Sequence, residues 1–487
     1  MDAPLWNTSL NRRAVLRLSL VGGAAALLAA CGQAAAPTTV PAKPAEPTKP
    51  AEKLAEKPAE PTKPAAGATP QAAAPAAGTK AVELEVWAHW DQGIQWLINS
   101  MKNYNFPNPN LTIKKVVYPF DEAHNKMLAA LNSGVGVPDI MRVEQGRMSA
   151  FLKGNIGFFD LTDRIGARRN DLVLGSAVDY WSWKGKIYGI GNELNVCSLT
   201  YRKDLFDEVG VKETGFESWS DFRKAGQDLK AKQNIAAISW HDISHGDFQI
   251  LTFAAGGKMF DENGDVAFAT DIGVDILAMM HEMLHKEKSA IVAPVTGDNT
   301  WSPPIYWAAF KDNKIASTIG APWHNGNLGR ETAIGPSQSG KWRLQRLPKG
   351  FGANLMTATH GGTSLSIPLK AKNPDEAWQV IEFTHLTKAV LQDFDERGVM
   401  VTYKPALAEE KVRKAWEYYG GQKIGEIYAE LAQDMPRITQ SPWAPEIYKA
   451  LTDMAITPIL QNPNATKNDI KAGFDKVKAE AERIKKL

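Results

Sequence analysis

The chain has 487 residues, 44% of them hydrophobic, 15 tryptophans, two cysteines and a formal net charge of +2. So even a charge balance, with no basic block interleaved with aromatics in its globular part, argues against a nucleic-acid partner, and two cysteines are too few for a disulfide framework. About 400 residues from Ala81 onward can bury a large core and exceed the usual size of one domain, so two lobes are expected.

The N-terminus opens on Arg12, Arg13 and Arg17, followed by an uncharged stretch from Leu18 to Ala30. This is the layout of a signal peptide over residues 1–30. A membrane-spanning helix needs about 20 apolar residues, and this run stops short of that. Leu28-Ala29-Ala30-Cys31 resembles the lipobox of bacterial lipoproteins, which implies a lipidated Cys31 and an extracytoplasmic protein anchored to the cell membrane. "NRRAVLR", residues 11–17, is similar to the twin-arginine signal; an ordinary secretory signal with two adjacent arginines is the alternative. Each buried methylene contributes about 0.8 kcal/mol, so two or three acyl chains would hold the protein at a membrane surface. Residues 31–80 then run almost entirely in Ala, Pro, Lys, Glu and Thr, with the octet PAEPTKPA at 44–51 and again at 58–65. Such a segment cannot offset its chain entropy by burial, and extended at up to about 3.1 Å per residue it forms a disordered tether reaching on the order of 100 Å.

From Ala81 the pattern becomes globular. "VELEVWAHW" alternates at Val82, Leu84 and Val86 as a strand does, a helix is expected from about Ile94 to Tyr104, and "LTIKKVVYP" reads as a second strand. "FDEAHNKMLAALNSG" predicts a helix ending at Gly134, and "PDIMRVE" a third strand after its Pro-Asp turn. The β-α-β-α-β order implies an α/β fold with a mainly parallel sheet flanked by helices. Further on, "FDENGDVAF" predicts a hairpin turning on Asn263-Gly264. Its acids, Asp261 to Asp265, lack the spacing of a calcium loop. A closing amphipathic helix carries Ile470, Phe474, Val477, Ala481 and Ile484 on one face. Cys197 reads as a small buried apolar residue.

Five stretches give the chain a resemblance. "PDIMRVEQGRMSAFLKGNIGFFDLTD" (138–163), "WKGKIYGIGNELNVCSLTYRKDLFDEVG" (183–210), "WSDFRKAGQDLK" (219–230), "IGAPWHNG" (319–326) and "GGTSLSIPLKAKNPDEAWQVIEFTHL" (361–386) are similar, in order and spacing, to the extracellular solute-binding proteins of ABC importers, in the subgroup of maltose- and other sugar-binding proteins. The resemblance implies a two-lobed periplasmic-binding-protein-like (type II) fold, each lobe a mainly parallel sheet flanked by helices, with a hinge of crossing strands. One lobe is expected over 81–194 and 358–402, the other over 195–357 and 403–487. It further implies capture of a small solute, a sugar or oligosaccharide first of all, and delivery to separate permease subunits, by a monomer without a cofactor.

Sugars present apolar C–H faces and a belt of hydroxyls, so their sites use flat aromatic rings together with carboxylate, amide or guanidinium groups. In α/β sheets these belong in loops beyond the carboxyl ends of strands. The candidates are accordingly Trp90, Asp91 and Gln92 after the first strand; Glu144, Gln145 and Arg147 after the third; Glu193 and Asn195 in "NELN" at the first crossing; and Trp240, His241 and Asp242 after a short apolar run. Trp323, His324, Gly362 and Trp443 complete the set. Each has a plainer reading. Trp87 and most other tryptophans are core residues; Glu144 and Glu193 are rim charges; Arg147 pairs with a structural acid; the histidines are satisfied polar groups; and Gly361-Gly362 lets the backbone return tightly.

Two enzyme readings compete. "HEMLH", His281 to His285, matches the zinc-peptidase pattern of two histidines sharing a helix face, although no third ligand follows at the spacing of the extended form. A secreted glycosidase would combine aromatics with a pair of carboxylates.

Overall fold

In the computed structural model, residues 81–295, 301, 303–329 and 333–486 are described; the signal peptide expected over 1–30, the lipidation expected at Cys31 and the tether expected over 31–80 lie outside them. The alternation of the first strand, β1 (Val82–Ala88), sends Leu84, Val86 and Ala88 to one face and Trp87 to the other. Helix α1 (Gln92–Asn103) follows, then β2 (Leu111–Val117), α2 (Phe120–Ser133), β3 (Ile140–Glu144) and a short α3 (Gln145–Phe151). Helix α2 stops at Gly134, whose φ of 69° closes the last turn in the left-handed region that glycine enters without strain. Strands β4 (Ile190–Gly191) and β5 (Ser198–Arg202) come next, then α4 (Trp219–Gln233), β6 (Ile238–Trp240), α5 (Asp271–His285), β7 (Ala290–Val292) and β8 (Ser317–Gly320). A one-turn helix α6 (Pro322–Asn325), β9 (Trp342–Gln345), β10 (Thr363–Ser366), α7 (Pro374–His385) and α8 (Leu391–Arg397) lead to the late helices α9 (Ile424–Leu431), α10 (Ala444–Leu451) and α11 (Lys467–Ile484).

The first sheet has the order β2-β1-β3-β10-β4. Its three leading strands are parallel, while β10 runs antiparallel to both β3 and β4. Apolar residues cover both faces: Leu84, Ile140 and Leu365 on one, Trp87, Met141 and Val143 on the other. This is what a sheet sandwiched between helices requires. The second half differs from the mainly parallel sheet that the resemblance implies: β8-β5-β9 form a three-stranded sheet and β6-β7 a two-stranded one. Strands β6 and β7 are parallel and a parallel bridge at Ala236–Ile315 adds the chain leading into β8, but β5 is antiparallel to both β8 and β9. The reason is topological: β5 arrives straight from the crossing, without a returning helix, so no right-handed crossover sets its direction. The core of this half gathers Leu199, Phe222, Trp240, Phe248, Phe474 and Val477. The last two belong to the closing helix, which begins with a capping box between Thr466 and Asp469.

The expected hairpin forms: Phe260 and Val266 bridge antiparallel, Gly264 takes φ +78°, and the Asp261 carboxylate accepts the backbone N–H groups of Asn263 and Asp265. That carboxylate is committed to the turn.

Three segments pass between the halves and pair with one another. Leu194 N–H donates to Met400 C=O at 2.8 Å, Cys197 N–H to Ala358 C=O at 2.9 Å, and bridges join Glu193 with Val401 and Val196 with Thr359. Residues 192–197 therefore lie between the other two crossings. Gly361 (φ +78°) and Gly362 (φ +107°) end the second crossing in conformations other residues resist. A Cβ on Gly361 would stand 2.7 Å from Trp323 Nε1, and one on Gly362 would collide with the Asn195 amide. The Gly362→Ala substitution is therefore expected to destabilise the protein by about 1–3 kcal/mol, read as a lower denaturant midpoint; an unchanged midpoint would refute this account of the turn.

Candidate functional site

Where the first strand ends, the chain delivers Trp90 and Gln92 to the rim of a cavity of about 700 Å³. Pro322, Gly326 and Gly329, around α6, line it from the second half. Arg397, Gly398 and Met400, at the end of α8 and the start of the third crossing, line it next. Trp416, Tyr418, Tyr419 and Tyr428 complete an aromatic wall.

The Trp90 ring rests on two guanidinium groups, Arg142 at 5.3 Å and Arg397 at 4.9 Å from its centroid. Beneath it, Glu193 Oε1 accepts from Arg142 Nη2 at 3.1 Å and from Arg397 Nη2 at 3.0 Å, while Asp393 pairs with Arg397 and takes the amide of Asn192. Two cations face two anions, and all four are buried or nearly so; Arg142 is 0% exposed. Burial pulls the Arg142 guanidinium down to about 10, with the neighbouring Glu193 carboxylate opposing the shift. Cations held against the ring faces contribute about 0.5–2 kcal/mol each and fix the indole plane. A buried pair is stabilising only while complete, because a stranded charge costs about 3–5 kcal/mol.

The other predicted residues fall into distinct groups. Glu144 caps α3 through the Gly146 N–H at 2.7 Å, and burial pushes its carboxyl up to about 7. Gln145 is buried and donates its backbone N–H to Gly362 C=O at 2.9 Å, joining the third strand to the glycine turn. Asn195 is buried beside that glycine and donates to Glu193 C=O at 3.0 Å. Trp323 is half-buried, with its indole N–H on His360 C=O at 3.0 Å.

Several expectations are corrected. Trp240 is wholly buried in the second core, 6.2 Å from Trp219, because strand β6 continues through it. His241 is held between Asp247 (3.0 Å) and Trp301 C=O (2.9 Å) and stacks on the Trp301 ring. The Asp242 carboxylate accepts from Gln461 at 2.6 Å. His324 is 0% exposed against Thr318 and Trp307. Arg147 pairs with Asp121 and lies over Phe120, and exposed Asp91 pairs with Lys115 at 2.7 Å. Trp443 precedes α10, leans on the second core and lies under Lys485. His241, Asp242, Arg147 and Asp91 are thus engaged by polar partners of their own, whereas Trp240, His324 and Trp443 are held by packing, with the Trp240 indole N–H and His324 Nδ1 buried and without a hydrogen-bond partner among the described residues.

The zinc reading is overturned. Nε2 of His281 is hydrogen-bonded to Asn462 C=O at 2.9 Å and Nε2 of His285 to Leu460 C=O at 2.8 Å, so these nitrogens donate, and Glu282 pairs with Arg223 and Lys286. The motif ties α5 to the chain just before the closing helix.

Sequence reasoning passes over the aromatics of "WEYYGG" and the arginines Arg142 and Arg397. The clustering of Trp416, Tyr418 and Tyr419 before Gly420-Gly421 was the available signal.

Two outcomes test this architecture. Glu193→Gln, which keeps shape and removes charge, should lower unfolding stability by about 3 kcal/mol, whereas an exposed acid such as Glu262, paired with Lys258, changed to Gln should cost under about 1 kcal/mol. Equal effects would show that the buried pair contributes nothing special. Acid should also unfold the protein early: burial holds His89, His245, His324 and His385 down to about 3 and His124 and His360 to about 4. Their folded values lie below the unfolded one of about 6.5, so their contribution is intact above that pH and drains as pH falls toward 4, by about 1.4 kcal/mol per pH unit for each. Glu144, raised to about 7, opposes this between about pH 7 and 4.5, and Asp393, which burial also raises, opposes it in the same sense, but these are two groups against six. A melting temperature that did not drop between pH 7 and 4.5 would contradict this.

The pattern of the bacterial extracellular solute-binding proteins matches residues 94–384, more than half of the chain. An arabinooligosaccharide-binding protein of Halalkalibacterium halodurans is 22% identical over 394 residues, covering 79% of this chain and 86% of the relative. A lactose-binding protein of Rhizobium radiobacter is 25% identical, covering 76% and 87%. Among solved structures, the galacto-N-biose/lacto-N-biose I-binding protein of Bifidobacterium longum in complex with lacto-N-biose superposes with a TM-score of 0.67 at 18% identity, covering 84% of this chain and 99% of that one. This likeness gives the fold: two lobes of the type II solute-binding architecture.

Proposed function

This chain belongs to the bacterial extracellular solute-binding protein family, and we propose that within it the protein captures an oligosaccharide for an ABC importer. The observation that carries the reading is the aromatic cavity between the halves, with Trp90 pinned over Arg142 and Arg397 and facing a wall that includes Trp416 and Tyr418. Its volume, about 700 Å³, lies within the range of small-molecule sites. Relatives named for arabinooligosaccharides and for lactose support a sugar.

The ligand stacks a C–H face on Trp90 or Trp416 and gives hydroxyls to Gln92 and Glu396, which also line the cavity. The lobes, over 81–194 with 358–402 and 195–357 with 403–487, turn about the crossing segments, and the ligand stabilises closure by touching both. It does so only by as much as it binds the closed form more tightly than the open one. The closed monomer docks on permease subunits. Cys31, lipidated after export of the 1–30 signal through the twin-arginine or the general pathway, keeps it on the outer face of the cell membrane at the end of the 31–80 tether.

Tryptophan fluorescence titrated with arabinooligosaccharides and galacto-oligosaccharides tests the first claim. Saturable binding by at least one series is expected, weakened about tenfold or more by Trp416→Ala without loss of fold, since one stacked ring contributes about 0.5–1.5 kcal/mol beyond the area it buries. Binding indifferent to Trp416, or absent for every sugar, would refute the reading. For the anchor, Cys31→Ala should move the protein from the membrane fraction to the medium or the extracytoplasmic soluble fraction, and retention on the membrane would remove Cys31 from the account.

A further inference from the structure

A second cavity, of about 520 Å³, shares no lining residue with the aromatic cleft. Its floor is apolar, formed by Leu172, Leu174, Leu407, Ala408, Ala429 and Met435. Its charged lining is of one sign: Lys404, Arg413 and Arg437 contribute and no carboxylate does. Arg437 is answered by Asp179, which accepts two hydrogen bonds of 2.7 Å. The other two have only backbone partners among the described residues, Lys404 on Asn170 C=O at 3.0 Å and Arg413 on Leu407 C=O at 3.4 Å.

The walls are built rather than incidental. Residues 172 and 173 run along the third crossing, with Val173 N–H on Thr402 C=O at 3.0 Å and a bridge between Leu172 and Tyr403. The opposite wall approaches so closely that a Cβ on Gly175 would lie 2.6 Å from Pro436 O. Leu172 and Leu407 are buried and supply a firm apolar surface. A pre-formed apolar hollow with two cations free of carboxylates selects by charge as well as by shape.

From this complementarity we propose that the cavity is a second binding site, for a small amphipathic anion: a carboxylate on Arg413 and Lys404 with a short apolar chain on the leucine floor. The site does not depend on what occupies the aromatic cleft.

Calorimetric titration of the purified full-length protein with sodium octanoate, 1-octanol and inorganic phosphate tests it. Octanoate should bind saturably with one site per chain, 1-octanol and phosphate at least about tenfold more weakly, because loss of a charge-assisted contact or of the apolar chain each removes that much. Arg413→Gln should weaken octanoate about tenfold, and Ala408→Glu, which sets a carboxylate on the exposed part of the floor, should abolish its binding. Both positions are exposed, so circular-dichroism melting should match the parent. Trp416→Ala should leave octanoate binding intact while weakening any sugar. Absence of saturable octanoate binding, equal binding of phosphate, indifference to Arg413→Gln, or loss on Trp416→Ala would each overturn the proposal, the last by relocating the anion to the cleft.

Discussion

Two arginines and two acids buried under one indole are the constraint on which the remaining geometry depends. Arg142 belongs to the third strand of the first sheet, Glu193 to the first crossing, and Asp393 and Arg397 to the helix that leads into the third. Separated by up to some 250 residues of sequence, they meet at hydrogen-bond distance, and no member can shift alone without leaving a charge uncompensated in a low-dielectric interior. Strand, crossing and helix are thereby brought to one register. The platform that faces the cavity is the upper surface of this group, so the orientation of Trp90 is inherited from the interior and not from the loop that carries it.

Around that group the cavity draws on parts with different mechanical standing. Trp90 and Gln92 come from a loop backed by a five-stranded sheet, while Trp416 and Tyr418 come from a stretch of turns between two short helices. The second stretch is nevertheless tied: Tyr418 donates to Leu328 C=O at 2.7 Å and Tyr419 to Asn325 C=O at 3.0 Å, joining the aromatic wall to the chain around α6. A rigid platform thus stands opposite a wall fastened to the other half, which suits a site that holds a solute between the two.

Much of the first half was legible in the sequence because its signals are local. Alternation in 82–88, the glycine ending the 120–133 helix and the Pro-Asp turn before 140–144 each depend on neighbours a few residues away. The site was less legible, for a physical reason. A loop tryptophan and a loop histidine look alike as offers to a ligand, but His241 and Asp242 are engaged by Asp247 and Gln461, and His324 is buried against Thr318, and only the folded chain shows that these partners are in reach. Trp240 was misplaced because a three-residue strand has too little periodicity to show where it ends. The arginines under Trp90 were missed since a charged residue inside a buried strand has no sequence mark beyond its neighbours' apolarity. The two-glycine return at 361–362, by contrast, was readable: only a demanding backbone calls for that pair.

The place of β10 in the first sheet has a bearing on how the polypeptide acquires its shape. That strand, residues 363–366, lies between β3 and β4, so although β2, β1 and β3 pair among themselves, the open edge of β3 and the whole of β4 await a partner separated from them by all the strands of the second half. Before that point β4 has no neighbour to join it to β3, and bringing β10 between them requires closing a very long loop, which slows assembly. Completion of the first sheet is thus postponed until about three quarters of the chain has been made, a timetable that keeps one flank of the first half pliable through most of its manufacture.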